Sequence, residues 1–199
     1  MPPWALNLVV PPVFSFPAER RHIVGVTAAE RSIVLIGFMG TGKSSVGRRL
    51  AQSWGWPRRD TDAMIAAALG MPISEIFTRL GQDRFRAEES AILEGLDVSQ
   101  PAVIVTGGGT ILRPENRARL RALGTVVCLT ADIPTLLGRL GRRSGRPLLE
   151  TDDPESTVEN LLRERAPLYE EAADLTIDTT GLSHNEVANA IEDALDRRT

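Results

Sequence analysis

Gly37-Phe38-Met39-Gly40-Thr41-Gly42-Lys43-Ser44 fits G-x-x-x-x-G-K-[ST], the pattern of a phosphate-binding loop. Each residue type has a physical task there. Glycines at 37, 40 and 42 let the backbone curl until successive N–H groups face an anion. A helix opening at Lys43 adds its positive N-terminal end. Lys43 is a compact ammonium that can sit between the β- and γ-phosphates of a nucleoside triphosphate, and the Ser44 hydroxyl is a ligand for Mg²⁺. The motif requires a strand before it and a helix after it. Ser32–Gly37 is a continuous apolar run and Lys43–Trp54 reads as a helix, so the context is met. A nucleotide and a metal follow from this loop. The acceptor of a phosphoryl group does not, because ATPases, GTPases and small-molecule kinases share it.

Other side chains bear on the acceptor. Asp60-Thr61-Asp62 closes a short second strand, and in a parallel α/β sheet the carboxyl ends of the strands form the ligand crevice. Two carboxylates there can serve Mg²⁺ and an acceptor hydroxyl separately. The competing reading makes one of them the cap of a helix beginning near Ala63. Arg86 and Glu89 are three apart on a helix and share a face, which in isolation reads as a solvated ion pair. Gly107-Gly108-Gly109 is more glycine than a simple turn needs and lets backbone N–H groups approach a ligand closely. Arg146 projects from the Gly-, Arg- and Asp-rich stretch 141–153, as a lid closing over phosphates requires. Arg165 precedes Pro167 on a helix and carries the planar fork suited to a two-pronged grip on a carboxylate.

The elements that must position these groups alternate. After the first strand and helix come a strand at Pro57–Asp60 and a helix at Thr61–Leu69. A helix from Pro72 to Leu80 is stopped by Gly81, and Gln82–Leu96 forms another. Pro101–Thr106 is a second apolar strand, Pro114–Leu123 a helix, Gly124–Thr130 a strand and Ile133–Leu140 a helix. Pro154–Ala172 is helical with a break expected at Pro167, Asp174–Asp178 is the last strand, and Ser183–Asp196 the last helix. Such alternation implies a parallel sheet covered by helices on both faces. Cys128 falls inside an apolar strand and reads as a buried small hydrophobe.

Composition narrows the function classes. The 199 residues carry 23 Lys plus Arg against 26 Asp plus Glu, a net charge of −3, which argues against a general nucleic-acid binder. No run of 18 apolar residues marks a membrane span. One cysteine forbids an internal disulfide and fits a reducing compartment. His22, His184 and Cys128 are too few ligands for a structural zinc. Among the basic residues 22 are Arg and one is Lys, and that lysine is Lys43. Base composition accounts for the Arg excess but not for the place of the survivor, where a point charge fits between phosphates better than a guanidinium. Residues 1–30 form a Pro-rich extension, with five prolines in the first 18 positions forbidding a helix. The extension reads as a loosely ordered tail or a start placed too early, the alternative being a segment that packs on the domain or a neighbour.

Taken in order, the phosphate loop, D-T-D, F-R-x-x-E, G-G-G, R-P-L-L and R-A-P-L-Y resemble the shikimate kinase family over roughly Ser32 to Asp196. The resemblance implies one kinase domain over 31–199, with a lid at about 141–153. It implies a three-layer P-loop fold like the nucleoside monophosphate kinases, with a five-stranded parallel sheet in the order 2-3-1-4-5. It implies transfer of the ATP γ-phosphoryl group to the 3-hydroxyl of shikimate, on the route to chorismate and the aromatic amino acids. By matching position, Gly40, Thr41, Gly42, Lys43, Ser44 and Ser45 would hold the ATP phosphates, and Ser44 would bind Mg²⁺ with Asp60 helping through water. Asp62 would bind the acceptor hydroxyl and orient it or take its proton. Arg86 and Arg165 would grip the substrate carboxylate, Glu89 would position Arg86, and Gly108 and Gly109 would line the substrate pocket. Arg146 would swing in to the phosphates and Arg139 would pack on adenine. The Arg that family members often carry after the last strand is absent from Asp178–Ser183, which leaves the adenine contact on that side to backbone. A cytoplasmic monomer with no nucleic-acid or membrane partner completes the expectation. Two alternatives stand beside it: another small-molecule kinase of this fold, such as a gluconate kinase, and a non-catalytic nucleotide-binding regulator.

Overall fold

The computed structural model describes residues 31–97, 99–141 and 153–197. The expected extension, Arg146 and nearly all of the expected lid lie outside the described residues.

Five parallel strands form one sheet: β1 Ser32–Gly37, β2 Arg58–Asp60, β3 Val103–Val105, β4 Gly124–Thr130 and β5 Leu175–Asp178. Their order is β2-β3-β1-β4-β5, as expected. The central strand β1 has no exposed face, and its alternation divides the core in two. Val34 and Ile36 pack with Leu120, Val126, Leu136 and Val158 on one side. Ile33 and Leu35 pack with Val46, Leu50, Val187 and Ile191 on the other. A full layer of helix therefore covers each face, which is why the inner strands read as unbroken apolar runs.

The helices are α1 Lys43–Trp54, α2 Thr61–Leu69, α3 Ile73–Glu94, α4 Pro114–Leu123, α5 Ile133–Leu140, α6 Pro154–Ala172 and α7 His184–Asp196. Their ends follow local chemistry. Asp60, Asp132, Asp153 and Ser183 each accept a backbone N–H as N-caps of α2, α5, α6 and α7, and Ser183 forms a reciprocal box with Glu186. The expected division at Gly81 is a kink within α3, where Gly81 adopts φ 78° and ψ 170°, a backbone state that only glycine reaches without strain. Ile65 of α2 and Ile76 and Phe85 of α3 make a small separate core that carries this arm.

One expectation fails. Helix α6 runs without a break through Pro167. Val158, Arg165, Tyr169 and Ala172 are all buried on one face, on both sides of the proline, and this packing outweighs the missing N–H donor. No single described helix is long and apolar enough to cross a membrane.

Candidate active site

The phosphate loop joins the C-terminal end of β1 to α1. Gly37, Gly40 and Gly42 all take positive φ values, the conformation the curled loop requires. Lys43 is buried at 8% exposure, and its Nζ donates to the carbonyls of Gly37 at 2.7 Å and Phe38 at 2.9 Å, so the ammonium braces the loop it serves. The Thr41 hydroxyl donates to the Phe38 carbonyl at 2.8 Å, which turns this side chain into an internal strut.

A groove of about 480 Å³ opens above the loop. Gly40, Gly42, Lys43, Ser44 and Ser45 line its middle. Asp62, Thr106, Gly107 and Gly108 line it on the β2–β3 side, and Arg139, Leu182, Ser183 and His184 on the β5–α7 side. The strands' order brings these groups together: β1 and β3 are neighbours, so their carboxyl ends deliver the loop and the glycine run side by side. A side chain on Gly108 would press on the Met39 amide at 3.3 Å, so the two loops touch.

Asp62 sits on the first turn of α2 and faces a crowd of charges. Burial raises its carboxyl from about 3.8 to about 6, Glu89 and Asp60 add to the rise, and Lys43 and Arg86 oppose it. One oxygen of Asp62 is buried without a hydrogen-bond partner among the described residues. Asp60 behaves differently. One oxygen accepts from the Ala63 N–H at 3.3 Å and the other pairs with Arg58 at 3.2 Å, so Asp60 is the helix cap.

The Arg86–Glu89 pair is not solvated. Glu89 has no exposure; it accepts a short hydrogen bond from Arg86 and another from the Thr110 hydroxyl at 2.6 Å. The Arg86 guanidinium lies so close to Gly109 that any Cβ there would overlap it. Arg165 is buried at 4% exposure and stands 5.9 Å from the Phe38 ring centroid. Its Nε, like that of Arg86, has no hydrogen-bond partner among the described residues. Tyr169, one turn after Arg165, donates its hydroxyl to the Gly108 carbonyl at 2.5 Å. Arg86 thus packs on the residue next to Gly108, whereas Arg165 packs against Phe38 of the phosphate loop, and neither arginine is among the residues that line the groove.

At the opposite end Arg139 is pinned by the Thr179 carbonyl at 2.8 Å and hydroxyl at 2.9 Å. After β5, where the family's frequent Arg is absent, Leu182, Ser183 and His184 line the groove. The sequence carried no signal for them, nor for Thr179, because their role depends on α7 folding back beside the phosphate loop.

The family model for shikimate kinase matches residues 39–196. The chain belongs to the shikimate kinase family. A shikimate kinase of Thermodesulfovibrio yellowstonii is 46% identical over 161 residues, covering 81% of this chain and 92% of that one. Another, of Thioalkalivibrio sulfidiphilus, is 46% identical over 160 residues, covering 80% and 84%. Among solved structures, the shikimate kinase from Acinetobacter baumannii in complex with shikimate superposes with a TM-score of 0.82 at 36% identity, covering 85% of this chain and 95% of that one.

Proposed function

We infer that this member of the shikimate kinase family transfers the γ-phosphoryl group of ATP to the 3-hydroxyl of shikimate, giving shikimate 3-phosphate and ADP. One observation carries the reading: Asp62 and the phosphate loop line the same groove as Gly107 and Gly108, with the Arg86 guanidinium packed on the next residue, Gly109.

Shikimate is a small ring with one carboxylate and three hydroxyls. Arg86 and Arg165 each keep a buried Nε with no hydrogen-bond partner among the described residues, and a carboxylate is the natural partner of a guanidinium. Glu89 holds Arg86 in place from the buried side. With the ring so fixed, Asp62 meets the acceptor hydroxyl beside the γ-phosphate and orients it or accepts its proton. A carboxyl that titrates near 6 is a stronger base than an ordinary aspartate, which suits proton acceptance near neutral pH.

The N–H groups of Gly40 to Ser45 and the Lys43 ammonium take the phosphates, and Arg139 packs on the adenine at the far end. Arg146 from 141–153 supplies a further positive charge to the phosphates. Ser44 and Asp62 both line the groove, and a hydroxyl and a carboxylate are hard oxygen donors of the kind that fit Mg²⁺, which prefers few protein ligands beside phosphates and water. Ser44 would hold the ion, with Asp60 acting through water once Arg58 yields. When bound, Mg²⁺ neutralises charge on the phosphates being parted.

The kinase domain is assigned to 31–199, acting as a cytoplasmic monomer on small molecules alone. A gluconate kinase shares the chemistry of carboxylate and hydroxyls, but the family match favours shikimate. Phosphorus NMR of the product tests the assignment: an ester at the 3-oxygen of shikimate is expected, and an ester elsewhere or none contradicts it.

A further inference from the structure

Tyr169 closes the run Arg165–Tyr169, and nothing in the carboxylate grip makes use of it. Its ring is buried at 6% exposure, and its hydroxyl reaches 61 positions back along the chain to the Gly108 carbonyl. Gly108 lines the groove, and the next residue, Gly109, is the surface on which the Arg86 guanidinium rests. On its other side Tyr169 follows Arg165 by one helical turn, so the two share a face of α6. A continuous line of contacts therefore runs Arg86, Gly109, Gly108, Tyr169, Arg165. The two arginines come from separate helices, α3 and α6, and their spacing depends on what joins them.

We propose that Tyr169 is a positioning residue for the acceptor site, its hydroxyl tying α6 to the glycine floor so that Arg86 and Arg165 keep the spacing a substrate carboxylate demands. The proposal rests on the shikimate reading of the same site. Burial pushes the phenol well above its usual ionisation range, so it remains a hydrogen-bond donor wherever the enzyme works. A phenylalanine there would keep the ring's packing and remove only the tie.

The test is steady-state kinetics on the full chain with Tyr169→Phe, alone and combined with Arg165→Ala. The KM for shikimate should rise about five-fold in the single variant, the size expected for one buried hydrogen bond, while kcat and the KM for ATP change less than two-fold. In the Arg165→Ala background the same change should raise the KM by less than two-fold, because the tie acts through the arginine it positions. An unchanged KM, an equal rise in both backgrounds, or a parallel loss in kcat and ATP affinity would overturn the proposal. Absence of shikimate turnover in the parent chain would instead overturn the functional reading, so the two failures are distinct.

Discussion

Asp62 and Glu89 aim their carboxylates at one point. A Cβ placed on Gly107 would lie 2.8 Å from an Asp62 oxygen and 2.9 Å from a Glu89 oxygen. Glu89 is committed to Arg86 and Thr110, whereas the Asp62 oxygen has no partner among the described residues. Asp62 is therefore held in an environment that favours its protonated form, which is unfavourable for stability and useful for a group that must receive a proton.

Substituting Asp62→Asn separates these two effects. Folding raises the carboxyl from 3.8 to about 6, so the folded chain binds this proton more tightly than the unfolded one. Ionising it costs stability progressively as pH rises from about 4 to about 6, and above that the full cost of about 3 kcal/mol applies. The ligand-free variant should thus melt several degrees higher than the parent at pH 7 and equal it at pH 3.5, provided both are folded there. Turnover should be abolished while ATP still binds. Equal melting at pH 7 would contradict the burial argument, and near-normal turnover would remove Asp62 from catalysis.

Gly109→Ala should injure shikimate binding selectively. Its backbone, at φ −107°, suits any residue, so the fold should survive. The new methyl would overlap the Arg86 guanidinium and displace it from the floor of the groove. A rise of about ten-fold or more in the KM for shikimate is expected, with ATP affinity unchanged. As a control, Gly138→Ala meets nothing within 4 Å and should leave both constants alone.

Lys43 offers a chemical test, since it is the one lysine among 23 basic residues. An amine-selective reagent should inactivate the protein by modifying a single side chain, apart from the amino terminus. ATP should protect it. Loss of activity without modification of Lys43, as read by peptide mass, would contradict the assignment.

Thr179→Val addresses the nucleotide end. The hydroxyl accepts from Arg139 and donates to the Thr130 carbonyl at 2.8 Å, so its loss frees the guanidinium on one side. The KM for ATP should rise about three-fold, with the KM for shikimate unchanged. The reverse pattern would place Arg139 elsewhere in the reaction.

Much of this architecture was legible because local chemistry punctuates it. β1, α1, α4, β4 and α5 have the bounds the sequence indicates, each beginning or ending at a glycine, a proline or a capping aspartate. Pro167 misled, because a local breaker rule cannot weigh the tertiary packing on either side of it. The site divides the same way. Lys43, Ser44, Asp62 and Gly108 carry their chemistry in a motif and meet in one groove. The burial of the Arg86–Glu89 pair was not visible, since spacing along a helix reveals a shared face but not what covers it. Nor were the ties from Tyr169 to Gly108 and from Arg139 to Thr179, which join residues 61 and 40 positions apart. Such contacts exist only once the sheet order has been set.

The most direct measurement is coupled ADP release over a panel of acceptors, with ATP and Mg²⁺ present throughout. Rapid release is expected with shikimate, and with gluconate or no acceptor a rate lower by about a thousand-fold or more, since only a carboxylate and hydroxyl at the right separation engage both arginines and Asp62. Turnover with gluconate and none with shikimate would contradict the shikimate reading.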